Sequence, residues 1–185
     1  MSLLGFPVSI CGVAELHGFA TRGVSHVLSI LDPYTPTPAA FAVFAPHRRV
    51  DMRFHDRIVG DSYDWPLPEE SDAKSVLDFG ESLRSDDVAH LLVHCFAGVS
   101  RSTASAVMLM AQRNPGREEA CFAALHDIRP KAWPNSVMIA HADRLLGRRG
   151  RLVDAMQRHH RAVASRHPDV VALIRSVGRG HEVDL

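Results

Sequence analysis

Leu91-Leu92-Val93-His94-Cys95-Phe96-Ala97-Gly98-Val99-Ser100-Arg101-Ser102 joins an apolar run to a small-residue loop and then to a helical pattern. The stretch supplies a nucleophile, an anion cradle and a fixed positive charge. A Cys at the end of a strand, five intervening residues and an Arg at a helix start let the backbone curl so that several N–H groups converge above the sulfur. Converging amides and the positive end of a helix favour anions. Arg101 adds a planar, two-pronged donor that matches a phosphoryl group. The same field favours the thiolate, which is the nucleophilic form of cysteine. Gly98 fits this scheme because a tight loop of converging amides needs a backbone that a side chain would obstruct. The chemistry to which these parts are suited is attack by sulfur on a bound phosphoryl group. The competing reading of Cys95 is a buried structural thiol.

The run His94-Cys95-X5-Arg101-Ser102, in the form His-Cys-X-Ala-Gly-X-Ser-Arg-Ser, resembles the phosphate-binding signature of cysteine-dependent protein tyrosine phosphatases, in particular their dual-specificity-like branch. A rhodanese-type sulfurtransferase has a loop of different length and composition. The resemblance implies that Cys95 attacks phosphorus to form a thiophosphate and that Arg101 binds the equatorial oxygens. It implies that Ser102 stabilises the departing thiolate and that His94 braces the loop by hydrogen bonding. Phe96, Ala97, Gly98, Val99 and Ser100 become the substrate-binding loop, a site that phosphate or sulfate also suits. Neither a cofactor nor a metal is implied.

The family also uses an Asp upstream of the Cys as general acid, because an aryl oxide departs slowly unless protonated. Asp56, Asp61 and Asp64 lie roughly thirty to forty positions upstream of Cys95, and the spacing usual in the family that the loop resembles favours the later two. Against that, Val50, Met52 and Phe54 alternate with polar residues as a strand does, and His55-Asp56 follows at its end, where the family places its acid. The Arg57 to Pro68 segment, with Gly60, Pro66 and Pro68, then reads as an inserted loop. Asp56 is preferred, with Asp61 and Asp64 as alternatives. The order of Asp64-Trp65-Pro66 differs from the Trp-Pro-Asp loop of the larger tyrosine phosphatases.

Downstream, Arg129-Pro130-Lys131-Ala132-Trp133-Pro134-Asn135 resembles the segment that packs beneath the phosphate loop in the dual-specificity-like branch. Asn135 is expected to tether that loop, and equally to cap a helix over 136–147. Arg129 and Lys131 face either substrate or solvent.

With 185 residues and 46% hydrophobic content, the chain is long enough for one well-filled core. Its formal net charge is zero, so no global field argues for nucleic acid or a membrane surface. Cys11, Cys95 and Cys121 are too widely spaced for a disulfide framework or a zinc pattern, and His159-His160 lacks companions at metal-ligand spacing. No apolar run reaches the eighteen or so residues of a membrane span, and the N-terminus has no basic patch followed by an apolar segment. A thiolate enzyme needs a reducing compartment, and the expectation is cytoplasmic.

Short runs at 6–11, 25–31, 40–44 and 50–54 read as strands, and Tyr34 to Pro38 as a loop. An acidic start at Glu69, Glu70 and Asp72 opens a helix. Residues 102–112 form a buried helix closed by Asn114-Pro115-Gly116, and 118–128 form the next. Strands and helices alternate to Cys95 and helices alone follow. That order indicates an α/β class with a mostly parallel central sheet and helices clustered on one face, which is also the fold that the resemblance implies. The catalytic domain is placed at 5–147. A basic helical extension at 148–185 is expected to pack on it. Between Arg144 and Arg166 seven arginines face one acid, Asp154, which is either a solvated helix face or a dock for an acidic partner.

The loop interior carries no Lys or additional Arg, which argues for a singly phosphorylated ligand. The expected substrate is a phosphorylated protein, phosphotyrosine first and phosphoserine or phosphothreonine if the cleft is shallow, or a small aryl phosphate. The alternatives are a phosphate-binding pseudophosphatase and a regulatory interaction protein that uses its basic C-terminal helices.

Overall fold

The computed structural model describes residues 3–58 and 66–184. Four strands, β1 (Val8–Cys11), β2 (His26–Leu31), β3 (Arg48–Arg53) and β4 (Leu91–His94), form one parallel sheet in the order β1-β4-β2-β3. The interior strands β2 and β4 are buried at every position, as both-face coverage requires. Side chains alternate between the two faces. Leu28, Ile30, Leu91 and Val93 enter the larger core, and Val27 and Leu92 enter the smaller one.

Among the described residues six α-helices accompany the sheet, α1 (Glu70–Ser82) between β3 and β4, then α2 (Arg101–Arg113), α3 (Glu118–Ile128), α4 (Ser136–Leu145), α5 (Arg151–Arg166) and α6 (Pro168–Ser176) after β4. The first five supply the larger core. At its centre lies α2, buried continuously from Arg101 to Ala111. The acidic start of α1 is a reciprocal cap, the Glu69 amide donating to Asp72 Oδ2 at 2.8 Å. Asp143 of α4 accepts from the amides of Gly150 (2.7 Å) and Leu152 (2.9 Å) and so fixes the start of α5.

Residues 40–44, expected to be a strand, belong instead to a 3-10 helix at Ala39–Val43. Its apolar residues do not alternate across a sheet. Phe41 alone is buried, against the smaller core, and Val43 is 56% exposed. This turn and another at Val13–Phe19 cover the second face of the sheet.

The arginines of the C-terminal stretch are largely neutralised by acids of the preceding helices. Arg144 donates to Glu70 (3.1 Å), Arg148 and Arg151 lie 3.5 and 3.6 Å from the buried Glu118, and Arg158 pairs with Glu119. Arg149, Arg161 and Arg166 are exposed. Among the described residues no helix is long and apolar enough to cross a membrane.

Candidate active site

Parallel alignment brings the C-terminal ends of all four strands to one edge of the sheet, where open α/β sheets hold their ligands. Gly12 follows β1, Asp32 follows β2, Phe54 to Asp56 follow β3, and Cys95 follows β4. The loop from Cys95 to Ser100 then enters α2 at Arg101.

The carbonyls of this loop are held on its outer side. Phe96 O accepts from the Val13 amide (2.9 Å), Gly98 O from Arg129 Nε (3.2 Å), and Ala97 O from Arg129 Nη2 (3.5 Å). Val99 O accepts from the Trp133 amide (2.9 Å), and Ser100 O from the amides of Ala104 (2.9 Å) and Asn135 (3.4 Å). In a trans peptide the next N–H points opposite the carbonyl, and no peptide here is cis. The amides of residues 97 to 101 therefore turn inward. The Gly98 amide donates to Cys95 Sγ at 3.3 Å, and Ser102 Oγ lies 3.1 Å from the same sulfur. The sulfur is thus met by a backbone amide and by a hydroxyl.

Gly98 has φ +71°, and a Cβ there would lie 2.5 Å from Cys11 C and from Gly12 N. The loop thus rests directly on the backbone that leaves β1. Glu15 secures that contact, accepting from the Gly12 amide (2.8 Å) and from both arms of the Arg129 fork (2.8 Å each). The fork keeps the Glu15 carboxyl below the usual carboxylate range. Arg129 is therefore a clamp on loop carbonyls, and Lys131 pairs with Asp169 at 2.6 Å.

Arg101 is 2% exposed. Its Nη1 donates to Asp32 Oδ1 (2.9 Å) and to Phe54 O (2.5 Å), and its Nε lies 3.9 Å from Asp56 Oδ2. Asp56 Oδ1 accepts from Ser100 Oγ (2.7 Å) and from Asn135 Nδ2 (2.9 Å). Its Oδ2 makes no hydrogen bond among the described residues. Asn135 Oδ1 accepts from the Met138 amide (3.1 Å) to cap α4, its Nδ2 holds Asp56 and Arg57 O (3.1 Å) after β3, and its backbone amide reaches the loop at Ser100 O. The tether thus runs through the segment after β3 as well as through the loop backbone. Asp61 and Asp64 lie outside the described residues.

His94 is fully buried, its ring 5.4 Å from Phe41. Neither ring nitrogen has a hydrogen-bonding side-chain or carbonyl partner among the described residues. The ring is packed against Phe41 and feels the Cys95 backbone beside it. Burial holds this imidazole at about 4, against a weaker pull from the Cys95 backbone, so it is neutral near pH 7. Burial raises the thiols of Cys11 and Cys121 to about 12 and about 11, which keeps both protonated.

A cleft of about 480 Å³ opens over the loop, lined by Asp32, Asp56, Phe96, Ala97, Arg101 and Arg179 among others. Phe96, at the cleft wall, is 64% exposed. Among the described residues no group of three or more His, Cys, Asp or Glu is placed to hold a metal ion. Sequence reasoning passed over Asp32, Glu15, Arg179 and Glu182. Only Asp32 had a local signal, its place directly after an apolar strand and before Pro33.

No family model matches the chain, and no curated protein matches it. Solved structures do. Human DUSP28 superposes with a TM-score of 0.56 at 15% identity, covering 76% of this chain and 92% of that one. DUSP15 gives 0.55 at 18% identity over 86% and 93%. A mouse putative dual specificity phosphatase, crystallised with zinc tungstate, gives 0.55 at 16% identity over 79% and 84%. The fold is that of these dual-specificity phosphatase structures.

Proposed function

We propose that this chain hydrolyses phosphomonoesters through a cysteinyl-phosphate intermediate and that protein phosphotyrosine is its first substrate. The observation that carries the reading is the loop itself. Its carbonyls are fastened to Val13, Arg129, Trp133, Ala104 and Asn135, which leaves its amides to turn the other way, and the Gly98 amide donates to Cys95 Sγ. Such an array offers fixed dipoles to a phosphoryl group without reorganisation during reaction.

In the first step Cys95 Sγ attacks phosphorus, the S–P bond forms, and the P–O bond breaks with its electron pair leaving on the aryl oxygen. Asp56 donates a proton from Oδ2 to that oxygen. Arg101 exchanges its contacts with Asp32 and Phe54 O for the equatorial oxygens, as its fork geometry allows. In the second step water attacks phosphorus, Asp56 accepts a proton from it, and the S–P electron pair returns to sulfur, where Ser102 Oγ donates to the thiolate. Phosphotyrosine is favoured over multiply phosphorylated ligands because no basic side chain belongs to the loop interior between Cys95 and Arg101. The exposed Phe96 ring supplies an apolar wall for an aryl group. A reducing, cytoplasmic setting suits this sulfur chemistry.

The test is hydrolysis of a phosphotyrosyl peptide and of phenyl phosphate by the wild type, Cys95→Ser and Arg101→Lys proteins. Turnover that disappears in Cys95→Ser and falls by two or more orders of magnitude in Arg101→Lys is expected. Turnover that survives Cys95→Ser contradicts the reading, and tight phosphate binding without turnover assigns the chain to the pseudophosphatases.

A further inference from the structure

Beyond α6 the chain returns to the site and delivers Arg179, a residue distant in sequence from every part of the loop. The guanidinium is 5% exposed. Its Nε donates to Glu182 Oε2 (2.9 Å), its Nη2 lies 2.7 Å from the same carboxylate, and its Nη1 donates to Ser100 Oγ at 2.8 Å. Glu182 Oε2 also accepts from Trp133 Nε1 (2.9 Å). Trp133 is fully buried, stacks on His160 at 4.1 Å, and donates its backbone N–H to the loop at Val99 O. The tail is thus fastened to the loop at two points, through Trp133 and through Ser100.

The contact with Ser100 has a consequence for proton placement. A serine hydroxyl has a single hydrogen. With Arg179 donating to its oxygen, that hydrogen is directed to Asp56 Oδ1, 2.7 Å away. Asn135 Nδ2 donates to the same oxygen. Oδ1 then has both in-plane lone pairs occupied, and a proton on this carboxyl belongs on Oδ2, the oxygen nearer Arg101. Arg179 Nη1 also lies 3.7 Å from Oδ1, where its charge disfavours a proton; without Arg179 that cation is lost and Ser100 gains the freedom to turn its hydrogen away and accept from a proton on Oδ1.

We propose that Arg179, oriented by Glu182, is a positioning residue that acts on Asp56 Oδ1, through Ser100 and through its own charge 3.7 Å away, to hold the transferable proton of Asp56 on Oδ2. The proposal rests on the phosphatase reading with Asp56 as general acid. It makes the C-terminal tail part of the reaction machinery although the tail touches no reacting atom.

The experiment compares phenyl phosphate, whose leaving oxygen needs a proton, with 2,4-dinitrophenyl phosphate, whose leaving oxygen does not. Arg179→Ala is expected to lower kcat/KM on phenyl phosphate by roughly 10- to 100-fold, part of the 10² to 10⁴ that general acid catalysis supplies, while kcat/KM on the dinitrophenyl ester stays within about 3-fold. Asp56→Asn combined with Arg179→Ala should be no slower on phenyl phosphate than Asp56→Asn alone, since residues acting through one another are not additive. Arg179→Lys, with a charge but no fork, should fall between wild type and Arg179→Ala. If Arg179→Ala does not fold, Arg179→Lys and Glu182→Gln carry the same comparison. Equal slowing of both esters, or a full additive loss in the double variant, overturns the proposal. A wild type active on both esters whose Asp56→Asn variant shows no leaving-group dependence removes the assigned acid. Activity retained in Cys95→Ser removes the phosphatase reading itself.

Discussion

Replacing Gly98 by Ala probes the contact between the phosphate loop and the end of β1. At φ +71° an alanine meets a left-handed backbone cost of about 1 to 2 kcal/mol. Its Cβ would also lie 2.5 Å from Cys11 C and Gly12 N, with Cys11 O at 2.8 Å. Ordinary carbon contacts begin near 3.5 Å, so loop or strand must yield by about 1 Å. Overpacking of backbone atoms adds about 1 to 3 kcal/mol. Together these predict a loss of about 2 to 5 kcal/mol and, for a chain of this size, a Tm lowered by roughly 5 to 15 °C. Gly116 is the internal control, with φ +79° and nothing within 4 Å of an added Cβ. Gly116→Ala should therefore lose only the backbone part, about 1 to 2 kcal/mol. Thermal unfolding followed by circular dichroism measures both variants, and kcat/KM on phenyl phosphate should fall about 10²-fold for Gly98→Ala alone, the cost of misplacing reacting groups by about 1 Å. Equal Tm losses in the two variants with unchanged kcat/KM for Gly98→Ala would refute the close approach.

Asp56→Asn keeps an acceptor for Ser100 and Asn135 but removes the acid, so kcat/KM for phenyl phosphate should drop by roughly 10² to 10⁴ while kcat/KM for 2,4-dinitrophenyl phosphate, which reports only the first step, changes little. Parallel Asp61→Asn and Asp64→Asn proteins should stay near wild type, and a leaving-group-dependent loss in either transfers the role to that residue. Arg129→Ala leaves two loop carbonyls without their side-chain donor, and competitive inhibition by inorganic phosphate should weaken by roughly 10- to 100-fold, the worth of about 1 to 3 kcal/mol; an unchanged inhibition constant contradicts the clamp. His94 is held at about 4, below the ordinary 6.5. The unfolded chain therefore takes up its proton first, and stability that is full above about pH 6.5 should fall as pH drops toward 4. Urea unfolding should show that His94→Gln loses about 2 kcal/mol less than wild type between about pH 7.5 and about pH 5, and identical slopes would remove His94 as a contributor.

The parts of the molecule written in contiguous residues were readable from the sequence. The apolar runs of β2 and β4 identify themselves because both of their faces are buried, and the loop, Arg101 and α2 follow within a few positions. Helix α3 begins and ends where its acidic start and apolar spacing place it. Residues 40–44 misled because a short apolar run has no period of its own, and only tertiary packing of Phe41 decides its conformation. The contacts that shape the site join residues far apart in sequence, Glu15 with Arg129, Arg101 with Asp32, and Arg179 with Ser100. None of these pairs leaves a local pattern. The arginines of the C-terminal stretch read alike as a basic run, yet Arg148 is buried beside Glu118 and Arg161 is exposed. Which partner each one meets is a property of helix packing rather than of composition.

The central claim is a covalent bond between Cys95 and phosphorus. Rapid acid quenching of the wild type and of Asp56→Asn during turnover of an acidic-leaving-group aryl phosphate, followed by peptide mass spectrometry, tests it most directly. The account predicts one added phosphoryl group on the peptide that contains Cys95, absent from Cys95→Ser and from the peptides of Cys11 and Cys121. Turnover with no phosphorylated cysteine, or a phosphoryl group on a different residue that persists in Cys95→Ser, would contradict it.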